Sequence, residues 1–388
     1  MTTDRAYFDW NATAPLRAEA RAAVAAVLGL TGNASSVHAE GRAARHIVEK
    51  AREKAAALVG VEARNVTFTS SATEANMLAL TPAMEIGGAK DLRDKLFISA
   101  IEHPSVRSGG RFPAELVEEL PVSGDGVLDL NVLRSALARA EHPLVSVMLA
   151  NNETGVIQPI REIAAIVHAA DGVLHVDAVQ GPGRISCDIN DLGADLMSLS
   201  AHKLGGPQGA GALIRRGDIH IADPLIKGGG QERGLRAGTE NVAAIAGFGA
   251  AAAVAANRAD AERMVVLRDR IEAAIKASLP DAVIFGENAR RLPNTTLFAV
   301  PGMKAETAII SFDLNGIAVS SGSACSSGKV QASHVLAAMG VEPSLAQGAV
   351  RISLGWSTSE GDAEILLAAL TKVVSSLRKR HINSGLAA

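Results

Sequence analysis

Through its first two thirds the chain alternates short apolar runs with stretches long enough for a helix, and that alternation limits its fold more than any other feature. The runs fall at 66–69, 96–99, 144–149, 173–176 and 196–199. The segments 72–80, 130–140 and 160–170 between them suit right-handed helical crossovers joining parallel strands. An α/β fold on a mostly parallel sheet is therefore expected. One connection differs. Only a Gly-rich stretch separates residue 199 from the run 211–214, too short for a parallel return, so that pair is expected to be antiparallel. After Asn257 the pattern changes to a charged helix over 258–278, a strand over 294–300, a helix near Glu306 and a last amphipathic helix reaching Arg380. This predicts a second, smaller α+β domain.

Composition excludes several function classes. Hydrophobic residues are 48% of the chain, charged residues 20%, and the formal net charge is -3, which excludes a disordered or strongly basic chain. Aromatics are only 3%, leaving few rings to stack on bases, so nucleic acid is not an expected partner. The longest uncharged apolar run, 242–256, is shorter than the roughly 18 to 20 residues of a membrane span and reads as a buried helix. Residues 1–10 lack the basic-then-apolar pattern of a signal peptide. Two cysteines outside any CxxC pairing, Cys187 and Cys325, support neither a disulfide framework nor a zinc site. A cytoplasmic protein with no membrane association is expected.

In an open parallel sheet, ligands bind beyond the carboxyl ends of the strands, so the residues just after each run carry the chemistry. They are Ser70-Ser71-Ala72-Thr73-Glu74, Glu102-His103, Asn151-Asn152-Glu153, Asp177, and Ser200-Ala201-His202-Lys203. A lysine at such an end can form a Schiff base with an aldehyde cofactor. Pyridoxal phosphate is that cofactor, and it needs an acid at its ring nitrogen, for which Asp177 is suitably placed. The segment 71–74 fits a capping box opening a helix, whose bare amides and Thr hydroxyl suit a phosphate. Cys325 lies in the small, polar stretch 320–328, which makes it an exposed candidate nucleophile, whereas Cys187 reads as structural. Arg351 interrupts an apolar strand, where either a bidentate carboxylate ligand or an internal salt bridge would satisfy it.

These residues resemble the NifS-type cysteine desulfurases, fold-type I pyridoxal-phosphate enzymes of the class-V aminotransferase-like family, over nearly the whole chain. The likeness rests on Phe8-Asp9-Trp10-Asn11-Ala12-Thr13, Gly32-Asn33-Ala34-Ser35-Ser36-Val37-His38, Ser71-Ala72-Thr73-Glu74-Ala75-Asn76, Glu102-His103-Pro104 and Ala150-Asn151-Asn152-Glu153-Thr154-Gly155. It continues through His175-Val176-Asp177-Ala178-Val179-Gln180, Ser200-Ala201-His202-Lys203, Arg236-Ala237-Gly238-Thr239-Glu240-Asn241, Ser321-Gly322-Ser323-Ala324-Cys325 and Val350-Arg351-Ile352-Ser353-Leu354.

The resemblance implies a large domain over 16–257, built on a mostly parallel seven-stranded sheet, and a small α+β domain of 1–15 and 258–388 carrying the catalytic cysteine loop. It implies that Lys203 holds the cofactor, Asp177 pairs with the ring nitrogen, Gln180 bonds the phenolic oxygen, and His103 stacks on the ring and carries protons. Ala72, Thr73, Ser200 and His202 would bind the phosphate, with Asn152 beside the cofactor and Thr239 arriving from the other subunit of a homodimer. Asn33, Asn152 and Arg351 would hold the carboxylate of L-cysteine. Lys203 would act as general base and Cys325 would take the sulfur as a persulfide, leaving alanine.

No metal is implied in the isolated enzyme, although Cys325 would be placed to contact a nascent cluster. The acceptor would be an iron–sulfur scaffold or another sulfur-accepting protein; general cluster assembly, nitrogenase maturation (and so nitrogen fixation) and tRNA thiolation stay open. The Ser-Gly-Ser-Ala-Cys sequence resembles the branch whose cysteine rides on a longer, mobile loop. A selenocysteine lyase or another fold-type I enzyme is the alternative, disfavoured by Cys325. A non-catalytic sulfur carrier is disfavoured by the intact Lys203, Asp177 and Arg351. Three positions depart from the family pattern: Trp10 where Asn is usual, Ala34 where Pro is common, and Trp356 where a basic residue often follows the Arg351 strand.

Overall fold

The computed structural model describes residues 5–322 and 332–385. Seven strands, β1 (Val66–Thr69), β2 (Lys95–Ser99), β3 (Val117–Leu120), β4 (Pro143–Met148), β5 (Val173–Asp177), β6 (Leu196–Ser200) and β7 (Gly211–Arg215), form one sheet in the order β1-β7-β6-β5-β4-β2-β3. β4, β5 and β6 are buried along their whole length, as strands covered on both faces must be, which is why they read as apolar runs. The parallel pairings run from β6 out to β3, and β7 is antiparallel to both β6 and β1. The short Gly-rich connection forces that reversal. β3 was not foreseen: its sequence is Val-Glu-Glu-Leu, and an edge strand that exposes acids has no apolar run to recognise.

Helices cover the sheet. α1 (Ala18–Leu28), α2 (Ala39–Leu58) and the Ala- and Gly-rich α4 (Val242–Ala255) pack together on one face, while α3 (Ala72–Ala79) opens directly after β1. Phe68 and Phe248 meet edge to face at 6.0 Å in this core. Among the described residues no single helix is long and apolar enough to cross a membrane.

The C-terminal third has its own antiparallel sheet of β8 (Val283–Ile284), β9 (Thr295–Ala299), β10 (Ser320–Ser321) and β11 (Val350–Ser353), in the order β8-β9-β11-β10. α5 (Asp260–Ser278) and α6 (Glu360–Gly385) pack on it around Leu267, Phe298, Phe312 and Leu366. The chain's start joins this core, with Ala6–Tyr7 pairing parallel to Ile317–Ala318 and Phe8 fully buried. Residues 9–17 then run back to the large sheet, where Ala14 and Arg17 amides donate to the carbonyls of His202 and Gly205. This strap passes the carboxyl ends of β5 and β6.

Candidate functional site

Where the strand ends meet the strap lies a cavity of about 360 Å³. Ala72, Thr73, His103, Asn152, Asp177, Gln180, Ser200, His202, Lys203 and Arg351 all line it. Asn33 is exposed and does not. Thr239 lies at a separate hollow of about 180 Å³ beside Ser70 and Arg236. Cys325 lies outside the described residues.

Lys203 follows β6 in a short 3-10 turn, and its Nζ donates to the carbonyls of Asn11 and Ala12 at 2.5 and 2.7 Å. Asp177 ends β5, accepting from the Val179 amide at 3.1 Å and from Asn76 Nδ2 at 2.9 Å. Gln180 is oriented from behind: its Oε1 accepts from the buried Arg184, so its amide nitrogen turns to the Asn11 carbonyl at 3.1 Å and stays on the cavity side. Burial lowers Arg184 to about 10 and lowers both His175 and His202 to about 4, so the two imidazoles are neutral at pH 7. His202 Nδ1 lies 3.1 Å from the Thr13 hydroxyl of the strap.

α3 is capped as expected on one side and differently on the other. Ser71 Oγ accepts from the Glu74 amide at 3.2 Å, but Glu74 reaches back to Ser70 N, at 2.8 Å, instead of Ser71 N. The other Glu74 oxygen is taken by Arg236 at 3.0 Å, tying the Gly-rich segment that carries Thr239 to the start of α3. The first amides of α3, at Ala72 and Thr73, have no intrahelical acceptor and border the cavity.

Arg351, on β11, also lines the cavity. Its Nη2 meets Asp9 Oδ1 at 2.7 Å and its Nη1 meets the Asn152 carbonyl at 3.0 Å, but Nε is buried without a partner. The internal salt bridge is therefore present, and Arg351 also borders the cavity. Behind it, Glu153 is buried, which raises its pKa, and accepts from Ser333 Oγ at 2.6 Å. A Cβ at Gly322 would fall 2.4 Å from Glu153 Oε2, so any larger residue there must displace that carboxyl. Gly322 and Ser333 flank residues 323–331, and both rest on this one carboxyl.

The sequence of this chain is matched by the family model described as Aminotransferase class-V over residues 6–366. The chain belongs to that family. A cysteine desulfurase IscS of Dictyoglomus turgidum is 40% identical over 381 residues, covering 96% of this chain and 95% of that protein. A cysteine desulfurase of Cereibacter sphaeroides is also 40% identical, with 97% of each chain covered. The solved structure of a NifS-like protein from Rickettsia africae superposes with a TM-score of 0.87 at 37% identity, covering 96% of this chain and 99% of that one. A structure described as SspA in complex with cysteine gives 0.75 at 27% identity over 90% and 98%. Within the family the chain is of the NifS type, and its α/β architecture is that of fold-type I.

Two of the three departures from the family pattern are one contact. Trp10 and Trp356 meet edge to face at 4.6 Å, and the Arg17 guanidinium lies 3.7 Å over the Trp356 ring. Gly205, at φ +92, sits under this stack with no room for a Cβ. Lys203 borders the same small hollow. Cys187 is buried and its thiol is pushed up to about 12, which leaves it inert at neutral pH. Among the described residues no group of three His, Cys, Asp or Glu side chains could hold a metal ion.

Asn11 and Arg184 were missed as site residues. Asn11 lies within the 8–13 motif, yet nothing local shows that its carbonyl meets a lysine 192 positions away.

Proposed function

We propose that this chain is a pyridoxal-phosphate-dependent cysteine desulfurase that converts L-cysteine to L-alanine and leaves the sulfur as a persulfide on Cys325. The observation that carries the reading is the convergence of Lys203, Asp177 and the start of α3 on one cavity that Arg351 and Asn152 also line. These groups fit the cofactor: an amine for its aldehyde, a carboxylate for its pyridine nitrogen, and helix amides with Thr73, Ser200 and neutral His202 for its phosphate. Gln180, presenting its amide nitrogen, suits the phenolic oxygen, and His103 the ring face. When bound, the cofactor supplies an electron-accepting ring that acidifies the carbon bearing the substrate amine.

The chain does the rest. Arg351 and Asn152 hold the substrate carboxylate. Lys203, placed by the carbonyls of Asn11 and Ala12, removes the proton from Cα as general base. The Cys325 thiolate then attacks the substrate sulfur. An S–S bond forms, the C–S bond breaks with its electron pair on carbon, and that carbon takes a proton to become the alanine methyl group. No external oxidant is needed, because the sulfur is oxidised as the carbon is reduced.

In this reading the relative solved with cysteine supports cysteine as the substrate. Residues 16–257 form the cofactor domain, and 1–15 with 258–388 the smaller one. The enzyme works as a cytoplasmic homodimer in which Thr239, carried on a surface segment away from its own cavity, completes the partner's phosphate site. It hands sulfur to an iron–sulfur scaffold or another acceptor protein.

The test is a pair of variants. Lys203→Ala is expected to lose alanine formation and covalent cofactor attachment. Cys325→Ala is expected to keep the bound cofactor and its colour change with cysteine while forming no persulfide. Full alanine production by Lys203→Ala, or a persulfide mapped to Cys187, would sink the reading.

A further inference from the structure

The protonation of His103 is dictated by its neighbours. This residue caps the short helix Pro104–Arg107. Pro104 has no amide hydrogen, so the first free donor of that helix is the Ser105 amide, which donates to His103 Nδ1 at 3.2 Å. A backbone amide cannot exchange roles, and Nδ1 must therefore be an acceptor. The Ser105 hydroxyl lies 2.8 Å from the same nitrogen.

That hydroxyl already accepts from Asn76 Nδ2 at 2.9 Å, and the other hydrogen of the Asn76 amide goes to Asp177 Oδ2, also at 2.9 Å. Turning the Asn76 amide over would set its oxygen against the Asp177 carboxylate, so its orientation follows from charge. Its own Oδ1 is left buried and without a partner, which is the cost of that orientation. The single hydrogen of the Ser105 hydroxyl is then free to point only at Nδ1.

We propose that Ser105, linked to Asp177 through Asn76, is a positioning residue that fixes His103 as a neutral imidazole with its one hydrogen on Nε2, so that the ring offers the cavity a donor and not a base. A second ring proton, on Nδ1, would face the Ser105 amide hydrogen and displace the hydroxyl hydrogen as well. Burial also lowers the ring's affinity for a proton; Asp177 opposes that and Lys203 adds to it. His334, on the helix His334–Ala338, senses His103 electrostatically, and burial lowers its own affinity for a proton. One consequence rests on the desulfurase reading: abstraction of the α-proton falls to Lys203, while His103 Nε2 donates to an acceptor on the bound cysteine or cofactor.

The test uses holoenzyme carrying ¹⁵N-labelled histidine. Spectra correlating ring nitrogens with ring carbon-bound hydrogens show which nitrogen is protonated, and His103→Gln identifies the resonances. The expected result at neutral pH and above is a bare Nδ1 and a protonated Nε2. Ser105→Ala removes one donor to the neutral ring and should raise the His103 midpoint by roughly half to one pH unit, with Ser105→Thr restoring it. A protonated Nδ1 in the unaltered enzyme, or a midpoint in Ser105→Ala no higher than before, overturns the proposal. The unaltered enzyme's spectrum decides the first point even if Ser105→Ala does not fold. Absence of alanine formation would sink the desulfurase reading and leave the tautomer result standing.

Discussion

Two buried arginines in this chain have opposite surroundings. Arg52, on α2, meets Glu232 through Nη1 at 2.6 Å and Nη2 at 2.8 Å, while Nη1 also reaches the Val66 carbonyl and Nε reaches Glu49. Glu232 in turn accepts from the Phe68 amide at 2.8 Å. Their side chains are 4% and 2% exposed, and every guanidinium nitrogen has an acceptor. Arg351 has one carboxylate contact, to an Asp9 side chain 22% exposed, and an orphaned Nε. A buried pair with both partners enclosed holds the chain together, whereas a pair beside a cavity whose carboxylate reaches solvent is the easier one to open. Arg52–Glu232 pins the segment before Thr239 to β1 with Glu232 and Arg233 both at positive φ, so the clamp also holds a strained backbone in place.

The largest expected effect follows from the enclosed pair. Glu232→Ala leaves Arg52 buried without its enclosed carboxylate, with only the half-exposed Glu49 at Nε, and should cost about 3 kcal/mol of stability, read from urea unfolding. Replacing both residues by apolar ones, Arg52→Met with Glu232→Leu, should recover most of that. Equal losses in the single and double variants would show that the charge pairing is not what matters.

Arg351→Ala should act on the substrate instead. Loss of charge-assisted bonds to the carboxylate is expected to lower kcat/KM for cysteine by about 2 to 5 kcal/mol, while cysteamine, which has no carboxylate, is unaffected. Stability should change little, since Asp9 can turn to water. An equal loss for both compounds would make Arg351 a second Arg52 and erase the contrast.

Glu102 extends the comparison, because a buried carboxyl can relieve an unfilled site by taking a proton and a guanidinium cannot. Its Oε1 accepts from Ser99 Oγ and the Met148 amide, Oε2 has no partner, and burial pushes its pKa up to about 8. Below an ordinary carboxyl pKa, the folded and unfolded chains are both protonated here. As pH rises from there towards about 8, only the unfolded chain ionises, so stability should fall by at most about 1.4 kcal/mol per pH unit and level off above that. Glu102→Gln, neutral throughout, should lack this slope; parallel curves for the two proteins would rule the assignment out.

The sequence made half of this visible, for physical reasons. Strand ends were legible because an apolar run followed by polar residues is a local signal, and Asp177, Lys203 and His103 all sit at such ends. Asn11 and Asn76 were not legible as site residues, because their roles come from contacts across tens to hundreds of positions, while Arg184 and Ser105 act on near neighbours through side-chain directions that no sequence pattern marks. Trp10 and Trp356 looked like separate departures until the fold put one ring against the other. The edge strand β3 lacked the apolar run by which its neighbours were found.

The smallest expected effect is the most diagnostic, because one isosteric change can be made at both arginine sites. At Glu232 three donors converge on the two oxygens, so Glu232→Gln must set an amide hydrogen against one of them, and a clear loss of stability follows. At Asp9 the guanidinium bonds Oδ1, and the side chain reaches solvent. Asp9→Asn can keep its oxygen on Arg351 Nη2 and turn its nitrogen to water, losing only the charge assistance, about 1 kcal/mol. Arg351, relieved of a competing carboxylate, should hold the substrate at least as well, so KM for cysteine should stay level or fall a few-fold. If KM instead rises as far as in Arg351→Ala, Asp9 itself is needed to orient the guanidinium, and the substrate-holding role attributed to Arg351 belongs to the pair.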